Sequence, residues 1–288
     1  YNRALAEWLR ETIPETYSGR ITVFHFHALC SEWCRKAGVR FLPPATNADR
    51  FWKEDAAWLL VEAIEKVPDR FDAVVADEGQ DFYPEWWLPL EQINSKGELG
   101  PLYAFYDPAQ NLFVEGQSSL PSLGQPFLLP TNCRNTRRIA TACADIIGHP
   151  VRTRQDAPEG VEVQRALAAR DDDQRRMAQA SLEGWIRKGG LKMSQVAILS
   201  PVRYRNSAIV GLTGAKFPLT EDLGDWRAGR GVLFSTIRAF KGLEADAIIL
   251  MDVPRPDSDT HFTRSDYYVA CSRAKHLLVI LLKEAPRA

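Results

Sequence analysis

Phe71-Asp-Ala-Val-Val-Ala-Asp-Glu-Gly-Gln-Asp81 is an apolar run that ends in acids and a glutamine. Val74, Val75 and Ala76 predict a strand buried on both faces, and open α/β sheets place ligands beyond the C-terminal ends of such strands. Asp77 and Glu78 therefore arrive together at a crevice. Adjacent carboxylates suit nucleotide hydrolysis there: the first holds Mg2+, usually through a water, and the second orients and deprotonates the water that attacks a γ-phosphate. The alternative is an acidic cluster at the start of the helix that Pro84 opens, complementing its N-terminal dipole.

Outward from this stretch, hydrophobic periodicity predicts alternating helices and strands. Before it come helix Asn2 to Thr12, strand Ile21 to Phe24, helix Ala28 to Ala37 and a long helix Phe51 to Val67. Trp52, Ala56, Leu59, Leu60 and Ala63 mark the buried face of that long helix. Helix Pro84 to Ile93 and strand Leu102 to Tyr106 follow. A second series begins near Asn132: helix Asn135 to Ile147, strand Val161 to Arg165, helix Asp171 to Lys188, strand Val196 to Leu199 and helix Tyr204 to Leu212. It closes with strands Val232 to Ser235 and Ala247 to Met251, helix Thr263 to Ala274 and strand His276 to Leu282. Such alternation predicts parallel sheets with crossover helices, an α/β fold.

Further segments follow the acidic stretch in a definite order: Tyr103-Ala-Phe-Tyr-Asp-Pro-Ala-Gln-Asn-Leu-Phe113, Leu128-Leu-Pro-Thr-Asn-Cys-Arg-Asn135, Ser235-Thr-Ile-Arg-Ala-Phe-Lys-Gly-Leu-Glu244 and Tyr268-Val-Ala-Cys-Ser-Arg-Ala-Lys275. An ordered set is far harder to obtain by chance than one short motif. Together they resemble the UvrD/Rep-like superfamily 1 DNA helicases, from Tyr1 to about Leu282.

The resemblance implies two RecA-like P-loop NTPase lobes with parallel sheets. The first would cover residues 1–130, truncated at its N-terminus and carrying a small insertion near 31–70; the second would cover 131–288. ATP and Mg2+ are the implied cofactors and single-stranded DNA the implied partner, with ATP held between the lobes. Asp77 would hold the metal and Glu78 would be the general base. Gln80 would couple the γ-phosphate to the DNA-contacting segments, Gln110 would sense that phosphate, and Arg134 would contact the triphosphate. Gly242 would let backbone approach the nucleotide, and Glu244 would accept from the ribose hydroxyls. Arg273 would be an arginine finger, a role suited to an always-charged planar fork; its plainer reading is a cation complementing a helix C-terminus. His27, Phe113, Thr236 and Arg238 would lie along the nucleic acid.

Departures from the family pattern bear on activity. No Gly-x-x-x-x-Gly-Lys-Ser/Thr loop occurs, so the expectation is a fragment whose phosphate loop lies upstream of Tyr1. Arg238 stands where the family commonly has histidine, and Glu115 and Gly116 replace residues that would stack on or contact bases. The limited room for accessory insertions implies a minimal motor, a translocase or a helicase with a fused or associated nuclease domain. The alternative is a catalytically inactive helicase-like module that binds nucleic acid or protein.

The 288 residues carry a formal charge of −1, so nucleic acid would have to be met by a local basic strip. Arg134, Arg137, Arg138, Arg152 and Arg154, against Asp145 alone, form a candidate, with a solvated helix face the better reading of Arg137 and Arg138. Cys30, Cys34, Cys133, Cys143 and Cys271 lack paired spacing and are expected to be reduced core thiols. His25-x-His27 is weak as a metal pair, ordinary packing being the better reading. No stretch is apolar enough to span a membrane, which makes the expected location cytoplasmic.

Overall fold

The computed structural model describes residues 2–107, 110, 120–121, 123–212, 217–254 and 262–283. The chain divides into two compact units, Tyr1–Leu128 and Leu129–Ala288.

In the first unit, Asn2 caps helix α1 (Arg3–Thr12) by accepting from the Ala4 and Leu5 N–H groups. Helix α2 (Phe26–Ala37) begins earlier than predicted because His25 acts as its N-cap, its Nδ1 accepting from the Ala28 N–H at 3.2 Å. Ile21 to Phe24, predicted as a strand, forms none, because no neighbouring segment among the described residues supplies a ladder. The predicted long helix is α3 (Ala48–Arg50), a π turn (Phe51–Asp55) and α4 (Ala56–Lys66) in succession. The wider π turn shifts the phase of the apolar stripe by about one residue. Phe51 is therefore buried at 4% exposure, while Trp52, expected on the buried face, is 36% exposed.

Strand β1 (Val74–Ala76) pairs in parallel with β2 (Leu102–Ala104). The prediction that β1 is covered on both faces fails: Ala76 is buried and Val75 is 61% exposed. In a two-stranded sheet the pleat sends alternate residues to opposite sides, and only the side bearing Val74, Ala76, Leu102 and Ala104 packs on the core. That core joins α2 and α4 to Trp86 and Trp87, on either side of the start of α5 (Trp87–Gln92). Trp86 is fully buried, stacks on Phe26 at 4.1 Å and donates its indole N–H to the Lys53 carbonyl at 2.9 Å.

The second unit opens with β3 (Thr131–Asn132), α6 (Arg137–Ile147) and β4 (Arg152–Thr153), the two short strands pairing in parallel. Next come β5 (Gln164–Leu167), α7 (Asp171–Leu182), which a π turn extends to Lys188, and β6 (Val196–Ser200). The predicted helix Tyr204 to Leu212 is only a 3-10 turn, Tyr204–Asn206. The Ser207 hydroxyl and the Ala208 N–H instead turn inward to the Asp252 carboxylate, which breaks the helical hydrogen-bond ladder. After β7 (Leu219–Thr220) and α8 (Leu223–Arg227) come β8 (Val232–Thr236), α9 (Ile237–Phe240), β9 (Ala245–Pro254), α10 (Arg264–Ser272) and β10 (Ala274–Lys283). Six strands form one wholly parallel sheet in the order β5-β10-β9-β6-β8-β7. Its central strands are continuous apolar runs, as coverage on both faces requires: every residue of β6 is buried.

Among the described residues no helix is long and apolar enough to cross a membrane. All five cysteines are free, and four are buried; Cys133 is exposed, contrary to the expectation of a core thiol. It sits in the turn after β3, where its Sγ lies 3.5 Å from the Thr131 carbonyl oxygen. The basic strip is also corrected, because acids just beyond the counted window fold back on it. Arg138 meets Glu159 at 2.9 Å and Glu162 at 3.2 Å, and Arg154 pairs with Asp156.

Candidate functional site

The acids at the end of β1 are held by a turn, not presented by a long strand. Asp77 is exposed, and its Oδ1 accepts from the Glu78 N–H at 2.9 Å. Glu78 adopts a left-handed backbone with φ 56°, uncommon for a residue with a side chain and characteristic of constrained sites. The following Gly79 donates its N–H to the Phe105 carbonyl at 2.8 Å, tying the turn to the end of β2. A Cβ on Gly79 would meet Leu120 and Trp87 side-chain atoms at 3.2 and 3.3 Å, so the turn is closely packed.

A hydrogen-bonded chain runs from this turn to the segment after β2. Gln80, 3% exposed, donates its amide to Glu78 Oε2 at 2.6 Å and accepts the Asp107 N–H at 3.0 Å. Asp107 in turn accepts from the Gln110 amide at 2.6 Å. The structure thus brings Glu78, Gln80 and Gln110 together through Asp107, which sequence reasoning did not single out. Its signal was its place in Tyr-Asp-Pro, a turn-forming position three residues before Gln110. Phe113, Glu115 and Gly116 lie outside the described residues.

His27 is half-buried and packs against aromatic rings. Its Nε2 is 2.8 Å from the Trp52 carbonyl oxygen, and its ring meets Trp52 and Trp86 edge-on at 4.9 and 5.1 Å. Burial lowers its pKa, the Trp52 carbonyl opposing that shift. Among the described residues no group of three or more His, Cys, Asp or Glu side chains could hold a metal by itself. Mg2+ needs only one or two carboxylates when phosphates and water complete its shell, so the exposed Asp77 would be the residue to hold it.

In the second unit a different cluster forms around Glu244. Its Oε2 accepts from Arg134 Nε at 2.7 Å and its Oε1 lies 2.5 Å from Lys275 Nζ. Burial alone would raise the Glu244 carboxyl, but hydrogen bonds from Lys275 and Arg134 outweigh it and hold the pKa below the ordinary value. Arg134 is delivered by a turn in which Asn132 Oδ1 accepts the Arg134 and Asn135 N–H groups at 2.9 and 3.1 Å. The turn is stapled to the corner between α10 and β10. Asn135 donates to the Ser272 and Ala274 carbonyls at 3.0 and 2.5 Å, and the Thr136 N–H donates to the Lys275 carbonyl at 3.1 Å. Lys275 is the residue sequence reasoning passed over, although it closes the quoted Tyr268 to Lys275 segment.

Arg273 caps α10 and is 2% exposed, its Nε donating to the Val269 carbonyl at 3.3 Å. Gly242 has φ 84°, a conformation that favours glycine. Thr236 caps α9 by accepting the Ala239 N–H at 3.3 Å, and the exposed Arg238 lies 3.8 Å from Asp266. Thr236 and Arg238 thus share the C-terminal edge of the sheet, where β8 ends.

Residues 231–281, from the start of β8 into β10, match the family model of the UvrD-like helicase C-terminal domain. This segment is similar to the UvrD-like helicase C-terminal domain. It contains Thr236, Arg238, Gly242, Glu244, Arg273 and Lys275, so the resemblance read from the sequence holds where those motifs lie. No curated protein matches the chain. Among solved structures, the C-terminal domain of a possible DNA helicase from Lactobacillus plantarum WCFS1 is 19% identical with a TM-score of 0.42, the match covering 52% of this chain and 87% of that one. The PRRSV helicase is 13% identical with a TM-score of 0.40, covering 77% of this chain and 36% of that one. The helicase nonstructural protein 10 of an arterivirus, solved with DNA, is 15% identical with a TM-score of 0.39, covering 75% and 41%. The chain therefore spans well under half the length of either viral helicase.

Proposed function

We propose that this chain is the C-terminal major portion of an ATP-dependent DNA helicase or translocase, built from two RecA-like lobes, that couples ATP hydrolysis to movement on single-stranded DNA. The observation that carries the proposal is the hydrogen-bonded chain from Glu78 through Gln80 and Asp107 to Gln110, in a protein whose residues 231–281 are UvrD-like. A purely structural acidic turn has no need of a buried glutamine amide aimed at its carboxylate.

In this reading Glu78 accepts a proton from the attacking water, and the Gln80 amide holds the Glu78 carboxylate in place. A change at Gln110 reaches Glu78 through Asp107 and Gln80, which gives the γ-phosphate sensor a physical route to the base. Mg2+, when bound by Asp77, would neutralise charge on the phosphates. Arg134 and Arg273 contact phosphate oxygens, and Glu244 accepts from the ribose hydroxyls, with Gly242 beside them. Arg273 must leave its contact with the Val269 carbonyl to act as a finger. Thr236 and Arg238 contact the strand, the guanidinium through phosphate.

The test is Glu78→Gln in the full-length protein. Turnover is expected to fall by at least about a thousandfold, with nucleotide binding retained in equilibrium dialysis. Turnover within tenfold of wild type would refute Glu78 as the base.

A further inference from the structure

We propose that Lys275 is a positioning residue for nucleotide recognition: it anchors the Glu244 carboxylate so that Arg134 can leave for phosphate while Glu244 turns to the ribose. This rests on the reading above, and deepens it at one site.

Arg134 and Glu244 are in conflict over partners. Arg134 and Glu244 are each assigned to a different part of the nucleotide, yet here they bind one another at 2.7 Å. Recognition therefore requires an exchange in which Glu244 Oε2 gives up a guanidinium and gains a hydroxyl. Glu244 is only 34% exposed at its side chain, so losing its cationic partner outright would leave a partly buried charge without compensation. Lys275 removes that penalty. It holds Oε1 at 2.5 Å, so the carboxylate stays ionised and directed while Oε2 changes partner.

The backbone supports this division of labour. Lys275 is fixed at the start of β10, with its carbonyl accepting the Thr136 N–H at 3.1 Å. The Arg134 turn is thus stapled to the residue that retains Glu244, and the Arg134 side chain, 38% exposed, is the member placed to swing outward. An ammonium suits the anchor because it carries three donors on a flexible stem, and a guanidinium in its place would keep the charge.

The experiment compares the affinity of the full-length protein for ATP with that for 2′,3′-dideoxy-ATP, which lacks both ribose hydroxyls. Wild type is expected to favour ATP by about tenfold or more, the value of hydrogen bonds to a charged group. Lys275→Met keeps the aliphatic stem and should bring the ratio close to one, whereas Lys275→Arg should largely preserve it. Lys275→Gln serves if the Met variant does not fold, and circular dichroism with thermal melting checks each. On a Glu244→Gln background, Lys275→Met should leave the ratio unchanged. If wild type discriminates and both Lys275→Met and Lys275→Gln discriminate equally well, the role of Lys275 is overturned and Glu244 recognition stands. If wild type binds ATP without discriminating, the ribose role of Glu244 falls and that of Lys275 with it. If wild type binds neither nucleotide, the ATP-dependent reading itself fails.

Discussion

Asp252→Ala removes the centre of the buried polar cluster in the second unit. The Asp252 carboxylate accepts from the Ser200 hydroxyl at 2.8 Å, the Ala208 N–H at 2.9 Å and the Ser207 hydroxyl, and the residue is 7% exposed. It also sits at φ 57°, and its own N–H donates to the fully buried Gln174 side chain at 2.8 Å. Alanine would strand three donors, each costing about 1–3 kcal/mol, although the hydroxyls recover part of this by rotating. The left-handed backbone adds about 1 kcal/mol for a residue other than Gly, Asn or Asp. Together these give a loss of about 3–5 kcal/mol. Asp252→Asn keeps an acceptor for the Ala208 N–H and tolerates the backbone, so about 1–2 kcal/mol is expected. Urea unfolding at unchanged m value, with hydrogen exchange read on the β6 and β9 amides, measures both. A loss below about 1 kcal/mol for alanine, or equal losses for the two variants, would refute the reasoning.

Three other outcomes follow from the geometry. His25 has its pKa lowered to about 4, burial acting first, then the positive charge of the N-terminus, with His27, Arg10 and Arg3 adding to it. A depressed pKa means the stability from the neutral ring is present above its ordinary value of 6.5 and is lost as pH falls toward 4. The loss is about 1–2 kcal/mol once the half-exposed ring is discounted for solvent screening. His25→Ser should flatten the acid side of a melting-temperature profile between those limits, and an unchanged profile would count against the assignment. Gly160→Ala should cost about 2–4 kcal/mol, because φ is +78° and a Cβ there would lie 2.5 Å from Thr136 side-chain atoms, in contact with the residue that follows the Arg134 turn; a neutral melt would disprove the clash. Gln80→Leu in the full-length protein should lower turnover by tenfold or more, about 1.4 kcal/mol, while sparing nucleotide affinity, and an equal fall in both would show that the amide acts only in folding.

Much of the second unit was legible before any coordinates. Val196 to Leu199 and Ala247 to Met251 are apolar runs that only a doubly covered strand accommodates, and both lie in the centre of the parallel sheet. The first unit was less legible because its local signals depend on neighbours. Val74 to Ala76 has the same composition as those strands, yet its outer face is exposed, since periodicity reports what a strand can bury and not what lies beside it. The Trp52 error came from assuming 3.6 residues per turn through a helix that contains a π turn.

The order and chemistry of the motif residues follow from the sequence alone, because residue type fixes charge, hydrogen-bonding capacity and permitted backbone. Partner choice was decided only by the tertiary structure. Asp107 joins Gln80 to Gln110, Lys275 meets Glu244 from 31 positions away, and Arg134 reaches Glu244 across 110 positions. Such pairings depend on where strands end and turns are stapled, and on which buried charges must be compensated, none of which any single segment encodes.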